Sequence, residues 1–350
     1  MDDFQVPETS IGQVLTEQPP IIDVRTPKEF EQFRIPGAIN IPLFSNDERV
    51  RIGTTYTQDS KEAAVKLGLT FFSETARHFY DRCKSVYEKQ QAPLVIHCWR
   101  GGMRSLSVVS FLNALGLPCM QLQGGIRSFR RKIVADLEQM ADRLPPFIVV
   151  EGLTGTKKTV LLTELEKQGY PVLNIEPMAG HRGSTFGAIG LSQTSQKQFE
   201  CMLWQRLSAL QAAPYILMEA ESKRIGRIQV PDFLIAAKQN GERIRLHYPF
   251  EKRVQYLMSE YEPEQHEQAI RQATKRIEKK LSEDIRTTAK AAMEGGDFRR
   301  LTALLLEHYY DPRYRYTSTQ YDTPVHEVKM ESLEDGLQKV KQRLGRPVFA

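Results

Sequence analysis

The sequence predicts two α/β domains with parallel sheets, the second of which carries a helical C-terminal region. In both halves of the chain, short apolar runs alternate with amphipathic helical patterns, as in parallel-sheet proteins. The pair Pro145-Pro146 interrupts this pattern, and a new apolar run starts directly after it. We therefore expect one domain over residues 1–144, including a connecting helix, and a second over residues 145–350.

Four short apolar runs predict the buried strands of the first domain. They cover residues 21–24, 38–41, 94–97 and 120–122. A helix should lie between the third and fourth strands, with one apolar face and an end at Gly116 and Pro118. The predicted face consists of Val108, Val109, Leu112 and Leu115. An amphipathic helix over residues 127–143 completes the domain.

The second domain should begin with a strand over residues 147–150 and a helix after it. Another strand is predicted over residues 215–219, and it ends in an acidic residue. The last third of the chain has a helical pattern with a single apolar stripe. The stripe consists of Ile270, Ala273, Ile277, Leu281 and Ile285.

Composition excludes several classes of protein. Of 350 residues, 41% are apolar and 26% are charged, and no apolar run approaches the roughly 20 residues of a membrane span. The acidic N-terminus lacks the pattern of a secretory signal. Four cysteines without C-x-x-C spacing fit a reducing compartment, so we expect a cytoplasmic protein, and without a visible dimer seam we expect a monomer. A net charge of +5 permits a polyanionic partner without requiring one.

One loop at the end of a predicted strand has the residues of a nucleophile site. Cys98 follows the strand directly, Gly101 and Gly102 come next, and Arg104 starts a helix. Glycines let several backbone N–H groups point at one place, while the helix N-terminus and the arginine add positive charge. Such surroundings lower the pKa of a thiol, so we expect Cys98 to be a nucleophile. The other members of the predicted anion cradle are Arg100, Met103 and Ser105.

The assignment of Cys98 requires a thiol that solvent reaches and a hollow beside it that admits a donor. Cys83, Cys119 and Cys201 have no comparable surroundings in the sequence. We interpret these three residues as small apolar members of the core.

A second loop has the spacing of a phosphate-binding P-loop. Gly152, Lys158 and Thr159 occupy positions of the pattern G-x-x-x-x-G-K-[ST], between a predicted strand and a predicted helix. Lys157 stands where the pattern has its second glycine, and a lysine there adds charge but favours a different backbone path. We predict a P-loop fold without ordinary ATP turnover. The remaining loop residues that should contact a ligand are Thr154, Gly155 and Thr156.

Two further segments carry candidate ligand-binding residues. His181, Arg182 and Ser184 lie in the glycine-rich segment 180–187, which is either a substrate loop or a plain mobile loop. Glu219 ends a predicted strand beside the P-loop, and Glu221 follows it closely. Such acids could hold Mg²⁺ or polarise a water molecule, and they could equally be salt-bridge partners of nearby basic residues.

Basic and aromatic residues of the last third are candidate contacts to nucleic acid. Cationic side chains lie off the apolar stripe, and tyrosines alternate with arginines further on, a pattern that can stack on bases and pair with phosphates. A solvated helix face and a helix end packed by tyrosines are the competing interpretations. The candidates are Lys275, Arg276, Lys279, Tyr309, Tyr310, Arg313 and Arg315.

The first 135 residues or so resemble a rhodanese domain. Asp23-Val24-Arg25, Glu29-Phe30 and segment 35–42 are similar to its entry half, and the cysteine loop with Gly124-Gly125-Ile126 is similar to its second half. This resemblance implies a cysteine that carries a chalcogen as a persulfide. It also implies that Asp23 and Arg25 are structural.

The cysteine loop is longer than in many single-domain rhodaneses. Five residues separate Cys98 from Arg104, as in rhodanese-like phosphatases. A larger cradle suits a phosphate-sized ion better than a bare sulfur atom. The loop alone therefore leaves two chemistries open: chalcogen transfer from a phosphate-bearing donor, and hydrolysis of a phosphate ester.

The combination of both halves is more specific than either. With the segments 181–184, 219–222, 225–226 and 309–312, the chain resembles the bacterial tRNA 2-selenouridine synthases nearly end to end. The resemblance implies a transferase that replaces sulfur by selenium in the wobble 2-thiouridine of tRNA. Selenophosphate and geranyl diphosphate are the implied cosubstrates, S-geranyl-2-thiouridine is the implied intermediate, and no tightly bound cofactor or resident metal is implied, although Mg²⁺ could assist the diphosphate.

The same resemblance assigns roles to the two loops. It implies that Cys98 holds selenium as an S-selanylcysteine and that the P-loop binds the diphosphate of geranyl diphosphate. Two alternatives stay open. One is a rhodanese-like phosphatase or sulfurtransferase fused to a nucleotide-dependent kinase, and the other is a tRNA-binding protein without catalysis.

Overall fold

The computed structural model describes residues 6–318 and 323–349. It divides into two compact units, residues 1–138 and 139–350, and the division falls within the helix Ile126–Met140. Each unit is built around a parallel five-stranded sheet, so the predicted α/β class is confirmed. The predicted boundary between residues 144 and 145 stays a prediction. Within the described part of the chain, no helix is both long and apolar enough to cross a membrane.

The first unit places its most apolar strand near the middle of the sheet. The strand order is β1-β5-β4-β2-β3, and every neighbouring pair is parallel. All residues of β4 are buried, because it has strands on both sides and helices on both faces. The strands are β1 (Glu8–Thr9), β2 (Ile21–Asp23), β3 (Ile39–Asn40), β4 (Leu94–His97) and β5 (Cys119–Leu122).

From residue 6 onward, the first unit has six helices around this sheet. They are α1 (Ile11–Glu17), α2 (Pro27–Gln32), α3 (Asn46–Gln58), α4 (Lys61–Gln90), α5 (Met103–Ala114) and α6 (Ile126–Met140). Val108, Val109 and Leu112 on α5 are buried as predicted. Leu115 was wrongly assigned to the same face: the helix ends one residue earlier, and Leu115 is 50% exposed.

The second unit has the strand order β12-β11-β6-β8-β7, again with parallel neighbours. Its strands are β6 (Phe147–Gly152), β7 (Val172–Leu173), β8 (Ile216–Glu219), β11 (Glu242–His247) and β12 (Val325–Lys329), with a hairpin of β9 (Arg224–Ile225) and β10 (Ile228–Gln229). The strand β12 lies in the region predicted to be helical. Only Val328 of this edge strand is buried, so its sequence lacks an apolar run.

Ten α-helices complete the described part of the second unit. They are α7 (Lys158–Lys167), α8 (Ile175–Ala179), α9 (Gln196–Leu210), α10 (Asp232–Asn240), α11 (Phe250–Tyr261), α12 (Pro263–Ile277), α13 (Glu283–Glu294), α14 (Phe298–Leu305), α15 (Asp311–Ser318) and α16 (Leu333–Leu344). A 3-10 turn (Glu278–Lys280) interrupts the predicted apolar stripe, and a π-helical turn (Leu306–Tyr310) links α14 to α15. The stripe from Ile270 to Leu281 is nevertheless buried in one cluster.

Candidate functional site

Cys98 lies at the carboxyl end of β4, at the start of the loop that leads into α5. Its sulfur is 3.1 Å from the hydroxyl oxygen of Ser105. That hydroxyl accepts a hydrogen bond of 2.7 Å from the side-chain amide of Gln121, a residue of the neighbouring strand β5. Because the hydroxyl accepts from Gln121, its one proton can point either at the sulfur or at the carbonyl oxygen of Gly102, which lies 3.2 Å away. This arrangement favours a thiolate.

The electrostatic surroundings of Cys98 differ from those of the other thiols of this unit. Burial raises the pKa of Cys98, but hydrogen bonds from the Ser105 hydroxyl and N–H, the charge of Arg104 and the Arg100 N–H outweigh burial, so its pKa lies below the ordinary value. Burial raises the pKa of Cys83 and Cys119 to about 12. Cys201 is also buried, so the three were correctly predicted to be core residues. Cys98 therefore differs from Cys83 and Cys119 in the direction of its pKa shift, which fits the nucleophile predicted from the sequence.

The Ser105 hydroxyl is expected to set the ionisation of Cys98. Replacing Ser105 by alanine removes a hydrogen bond to the charged form, so the pKa of Cys98 should rise and alkylation of its thiol by iodoacetamide at pH 7 should slow roughly tenfold. The difference in absorbance at 240 nm between each protein and its Cys98→Ala counterpart follows this one thiolate over a pH titration. Ser105→Thr keeps a hydroxyl and should restore the lower midpoint; an unchanged midpoint in Ser105→Ala would contradict the assignment.

Arg104 is held in an ion pair, unlike an arginine whose guanidinium is free to bind an anion. Its guanidinium is 3.0 Å from the carboxylate of Glu29, and both side chains are partly buried. The positive charge still lowers the pKa of Cys98. Glu29 belongs to the rhodanese-like motif of the sequence, but the pattern alone indicated no role for it. We interpret Glu29 as the residue that holds the positive charge of Arg104 in place near Cys98.

The loop conformation depends on two glycines that approach it from the segment after β5. A Cβ on Gly125, whose φ is +57°, would lie 2.5 Å from the carbonyl oxygen of Cys98 and 2.6 Å from the nitrogen of Gly101. The N–H of Ile126 donates to the Cys98 carbonyl at 2.9 Å. The Gly124-Gly125 motif therefore lets two backbone segments touch behind the nucleophile.

Cys98 is only 3% exposed, so the expectation that solvent reaches its thiol is wrong for this conformation. A donor larger than water therefore reaches the sulfur only after local movement of the loop. Gly101, in the left-handed region, and the exposed Gly102 supply backbone freedom next to the thiol. Asp23 and Arg25 are buried and ion-paired at 2.6 Å, a geometry that fits the structural role implied for them.

The P-loop follows β6 and leads into α7, the context that its motif requires. Lys157 has φ +60° and ψ +28°, a left-handed conformation that a glycine adopts at lower cost. Its ammonium lies 5.2 Å from the ring centre of Tyr256 and 5.6 Å from that of Tyr248. Lys157 thus adopts the left-handed conformation that favours glycine. The structure does not support the expectation that this lysine changes the backbone path.

A buried ion pair supports the P-loop from outside the motif. The Nε of Arg253 on α11 donates to the carbonyl of Thr154 at 2.8 Å, and its Nη atoms bind both carboxylate oxygens of Asp311 at 2.6 and 3.0 Å. Lys158 donates to the carbonyl of Gly152 at 2.8 Å, and Thr156 is 1% exposed within the turn. The sequence analysis missed Arg253, because its partners are far away along the chain.

Three carboxylates gather beside the P-loop. Ligand atoms of Glu176, Glu219 and Glu221 all lie within 4.8 Å of one another. Burial and the charge of Glu221 raise the pKa of Glu176 to about 8, and burial also raises the pKa of Glu219 and Glu221. The Thr159 hydroxyl donates to Glu176 at 2.8 Å. Glu176 was missed, although it follows a strand closely, the signal that identified Glu219.

The segment 180–187 packs against this cluster. A Cβ on Gly183, whose φ is +64°, would lie 2.6 Å from a carboxylate oxygen of Glu221. Burial and the charge of Arg182 lower the pKa of His181, so its imidazole is neutral. Arg182 is ion-paired with Glu260 at 2.5 Å. The Ser184 hydroxyl lies 3.4 Å from that of Tyr261.

Two cavities meet at the P-loop. One has a volume of about 360 Å³ and is lined by Lys157, Lys158, Thr159, Glu176, His181 and Arg182, among others. The other has a volume of about 520 Å³ and a largely basic lining that includes Lys158, Lys238, Arg243, Arg245, Arg313 and Arg315. Lys158 and Glu221 line both cavities. A ligand in one cavity would therefore lie next to a ligand in the other.

The candidate nucleic-acid contacts separate into two groups. Tyr309 is 5% exposed and stacks edge-on against Tyr310 in the helical core, so its ring is not available to a base. Arg313 and Arg315 instead line the basic cavity. Lys275, Arg276 and Lys279 are exposed at the end of α12 and the 3-10 turn after it. The structure therefore favours packing for the tyrosines and a polar role for the arginines.

Both halves of the chain match known families. Residues 145–343 match the tRNA 2-selenouridine synthase AAA domain, and residues 12–132 match the rhodanese-like domain. The tRNA 2-selenouridine synthase of Nitrosomonas europaea is 33% identical over 73% of this chain and 67% of its own length. That of Sulfurovum sp. is 29% identical over 89% and 92%, respectively, and that of Chromohalobacter salexigens is 30% identical over 91% and 92%.

Proposed function

This chain belongs to the tRNA 2-selenouridine synthase family, and from that premise we propose that it converts the wobble 2-thiouridine of tRNA to 2-selenouridine. Selenophosphate is the selenium donor, and S-geranyl-2-thiouridine, made with geranyl diphosphate, is the intermediate. The observation that carries this proposal is a thiol with a lowered pKa at Cys98, in the same chain as a P-loop beside a basic cavity.

The first step is alkylation of the base. The sulfur of 2-thiouridine attacks C1 of geranyl diphosphate, a C–S bond forms, the C–O bond breaks, and pyrophosphate leaves while the base loses its N3 proton. Lys158 and the backbone of the P-loop would stabilise the charge that develops on pyrophosphate. The basic cavity supports tRNA as the second substrate, because Lys158 lines it as well as the P-loop cavity.

The second step exchanges sulfur for selenium. Geranylated 2-thiouridine, selenophosphate and water give 2-selenouridine, geranylthiol and phosphate, with no net oxidation. Alkylation makes the sulfur a good leaving group at C2. Cys98 attacks C2, so that a C2–S bond to Cys98 forms and geranylthiol leaves. The selenium of selenophosphate then displaces Cys98 from C2, and water cleaves the Se–P bond to release phosphate and 2-selenouridine. No atom changes oxidation state in this route, whereas an S-selanylcysteine would require a two-electron oxidant.

The carboxylates beside the P-loop fit a divalent cation. Both carboxylate oxygens of Glu219 are buried without a hydrogen-bond partner in the described part of the chain. Oxygen ligands of this kind suit Mg²⁺. We propose that Glu176, Glu219 and Glu221 would hold such an ion, which when bound supplies positive charge next to the diphosphate.

Omission of each component tests the proposed function. The complete mixture of 2-thiouridine tRNA, geranyl diphosphate, selenophosphate and Mg²⁺ should give 2-selenouridine in nucleoside digests. Without selenophosphate, S-geranyl-2-thiouridine should accumulate, because the first step proceeds alone. Without geranyl diphosphate or Mg²⁺, 2-thiouridine should persist, but geranylated tRNA supplied ready-made should still be selenated.

Two results would count against the proposal. Formation of 2-selenouridine without any geranyl donor would remove the alkylation step. Release of phosphate from an aryl phosphate, lost in Cys98→Ala, would favour the rhodanese-like phosphatase instead, a chemistry that the C-x5-R loop also permits.

A further inference from the structure

An apolar pocket lies among the helices of the second unit, and most of its lining residues have no role in the sites described above. Its walls include Leu257, Ile270, Phe298, Leu301, Leu305 and Leu306, from α11, α12, α14 and the start of the π-helical turn. Well-packed cores leave few voids, and an apolar hollow with a few polar groups at its mouth is typical of a ligand site.

The pocket is continuous with the P-loop cavity. Thr154, Ser184, Leu257 and Tyr261 line both. A Cβ on Gly155 of the P-loop would lie 3.2 Å from the Cδ1 atom of Leu257, so the backbone that would bind phosphate touches the apolar wall. A ligand that fits both spaces has an anionic head and a hydrocarbon tail.

The chemistry of the walls distinguishes a hydrocarbon from a nucleotide base. The described side chains that line the pocket offer hydroxyl groups as their only polar atoms. A base buried there would leave several ring nitrogens and exocyclic groups without partners, which is costly. A hydrocarbon chain has no such requirement, so the walls favour a tail over a base.

We propose that this pocket holds the hydrocarbon tail of a short isoprenyl diphosphate whose diphosphate lies on the P-loop. The proposal rests on the proposed function and adds the site of the tail and its length limit. The pocket has a volume of about 50 Å³, on a scale where one water needs about 10–15 Å³. It therefore accommodates the end of a short chain, while the first carbons lie in the P-loop cavity.

Two substitutions should change the length limit in opposite directions. Phe298 and Thr302 line the apolar pocket but not the P-loop cavity, and neither is fully buried. Phe298→Ala enlarges the pocket and should admit a longer chain. Thr302→Leu fills it and should exclude the end of a ten-carbon chain. A loss of folding would not shift chain-length preference in two directions.

The test measures dissociation constants of the full-length protein by calorimetry. The probes are inorganic pyrophosphate and the unreactive thiolodiphosphates of dimethylallyl, geranyl and farnesyl chains. The unaltered protein should bind the geranyl probe at least about tenfold more tightly than pyrophosphate. Phe298→Ala should gain about tenfold for farnesyl, and Thr302→Leu should lose about tenfold for geranyl. Pyrophosphate should bind all proteins equally within about twofold.

A control and two contrary outcomes make the test decisive. Leu333→Ala truncates a half-buried apolar residue of the sheet core and should leave all four constants unchanged. Two results would contradict the proposal that the pocket holds the tail. One is equal binding of pyrophosphate and every prenyl probe by the unaltered protein, and the other is the same change for all probes in both variants. If the protein binds the probes according to chain length but forms no geranylated tRNA in the activity assay, the proposed function is wrong while the proposal for the pocket holds.

Discussion

Replacing Cys98 by alanine should abolish 2-selenouridine formation, with a loss of more than about 10³-fold in rate. The variant has no thiolate to displace geranylthiol from C2, and the loop from residue 98 to residue 104 contains no second cysteine. Geranylation should continue at its normal rate, because the proposed site of that step is the P-loop. Mass spectrometry of tRNA nucleosides should therefore show S-geranyl-2-thiouridine where the unaltered protein yields 2-selenouridine.

Cys119→Ala is the matched control for this experiment. Cys119 belongs to the same sheet, is buried, and has a pKa of about 12, so it supplies no thiolate near neutral pH. Its removal should leave both products unchanged apart from a small loss of stability. Continued selenation by Cys98→Ala would refute the role of the thiolate.

Replacing Lys158 by alanine should have the opposite effect and lower geranyl transfer by more than about 10²-fold. Its ammonium lies at the P-loop, where it would neutralise the charge of departing pyrophosphate. Selenation of ready-made geranylated tRNA should remain within about twofold of normal, since Cys98 is untouched. Rates for the two half-reactions, measured separately on the same preparation, check this expectation.

Lys167→Ala is the control for Lys158→Ala. Lys167 lies in the last turn of the same helix, is exposed, and pairs with Glu164. Its substitution removes the same charge as Lys158→Ala, but at the far end of the helix from the P-loop, and should leave geranyl transfer unaffected. Full geranyl transfer by Lys158→Ala would show that the P-loop does not bind the diphosphate.

The sequence predicts the parts of each site that are contiguous in the chain. Cys98, its glycines and Arg104 follow one strand, so composition and spacing were sufficient to place them together. The same holds for Lys158 and Thr159 after β6. Strand 94–97 was predicted with its observed bounds because β4 is uniformly apolar. A buried central strand leaves the clearest signal in a sequence.

The parts that escaped prediction depend on contacts between distant segments. Gln121 on β5 donates a hydrogen bond to Ser105 on α5. Arg253 forms an ion pair with Asp311, which lies 58 positions further along the chain. No periodicity marks either pair. Lys157 shows the reverse case, in which the residue breaks a motif but the backbone keeps the left-handed turn. A sequence pattern gives only the residue types, whereas the backbone dihedral angles determine whether the P-loop conformation is kept.

The position of β12 has a consequence for how the protein is made. This strand pairs with β11 along its whole length, yet it is synthesised long after β11, because five α-helices separate the two strands in the described chain. While the ribosome is still translating the C-terminal third, β11 presents an unpaired edge, and such edges invite association with other nascent chains. The first sheet is complete once Leu122 has emerged. Chaperone protection during translation should therefore matter far more for the P-loop half than for the rhodanese-like half.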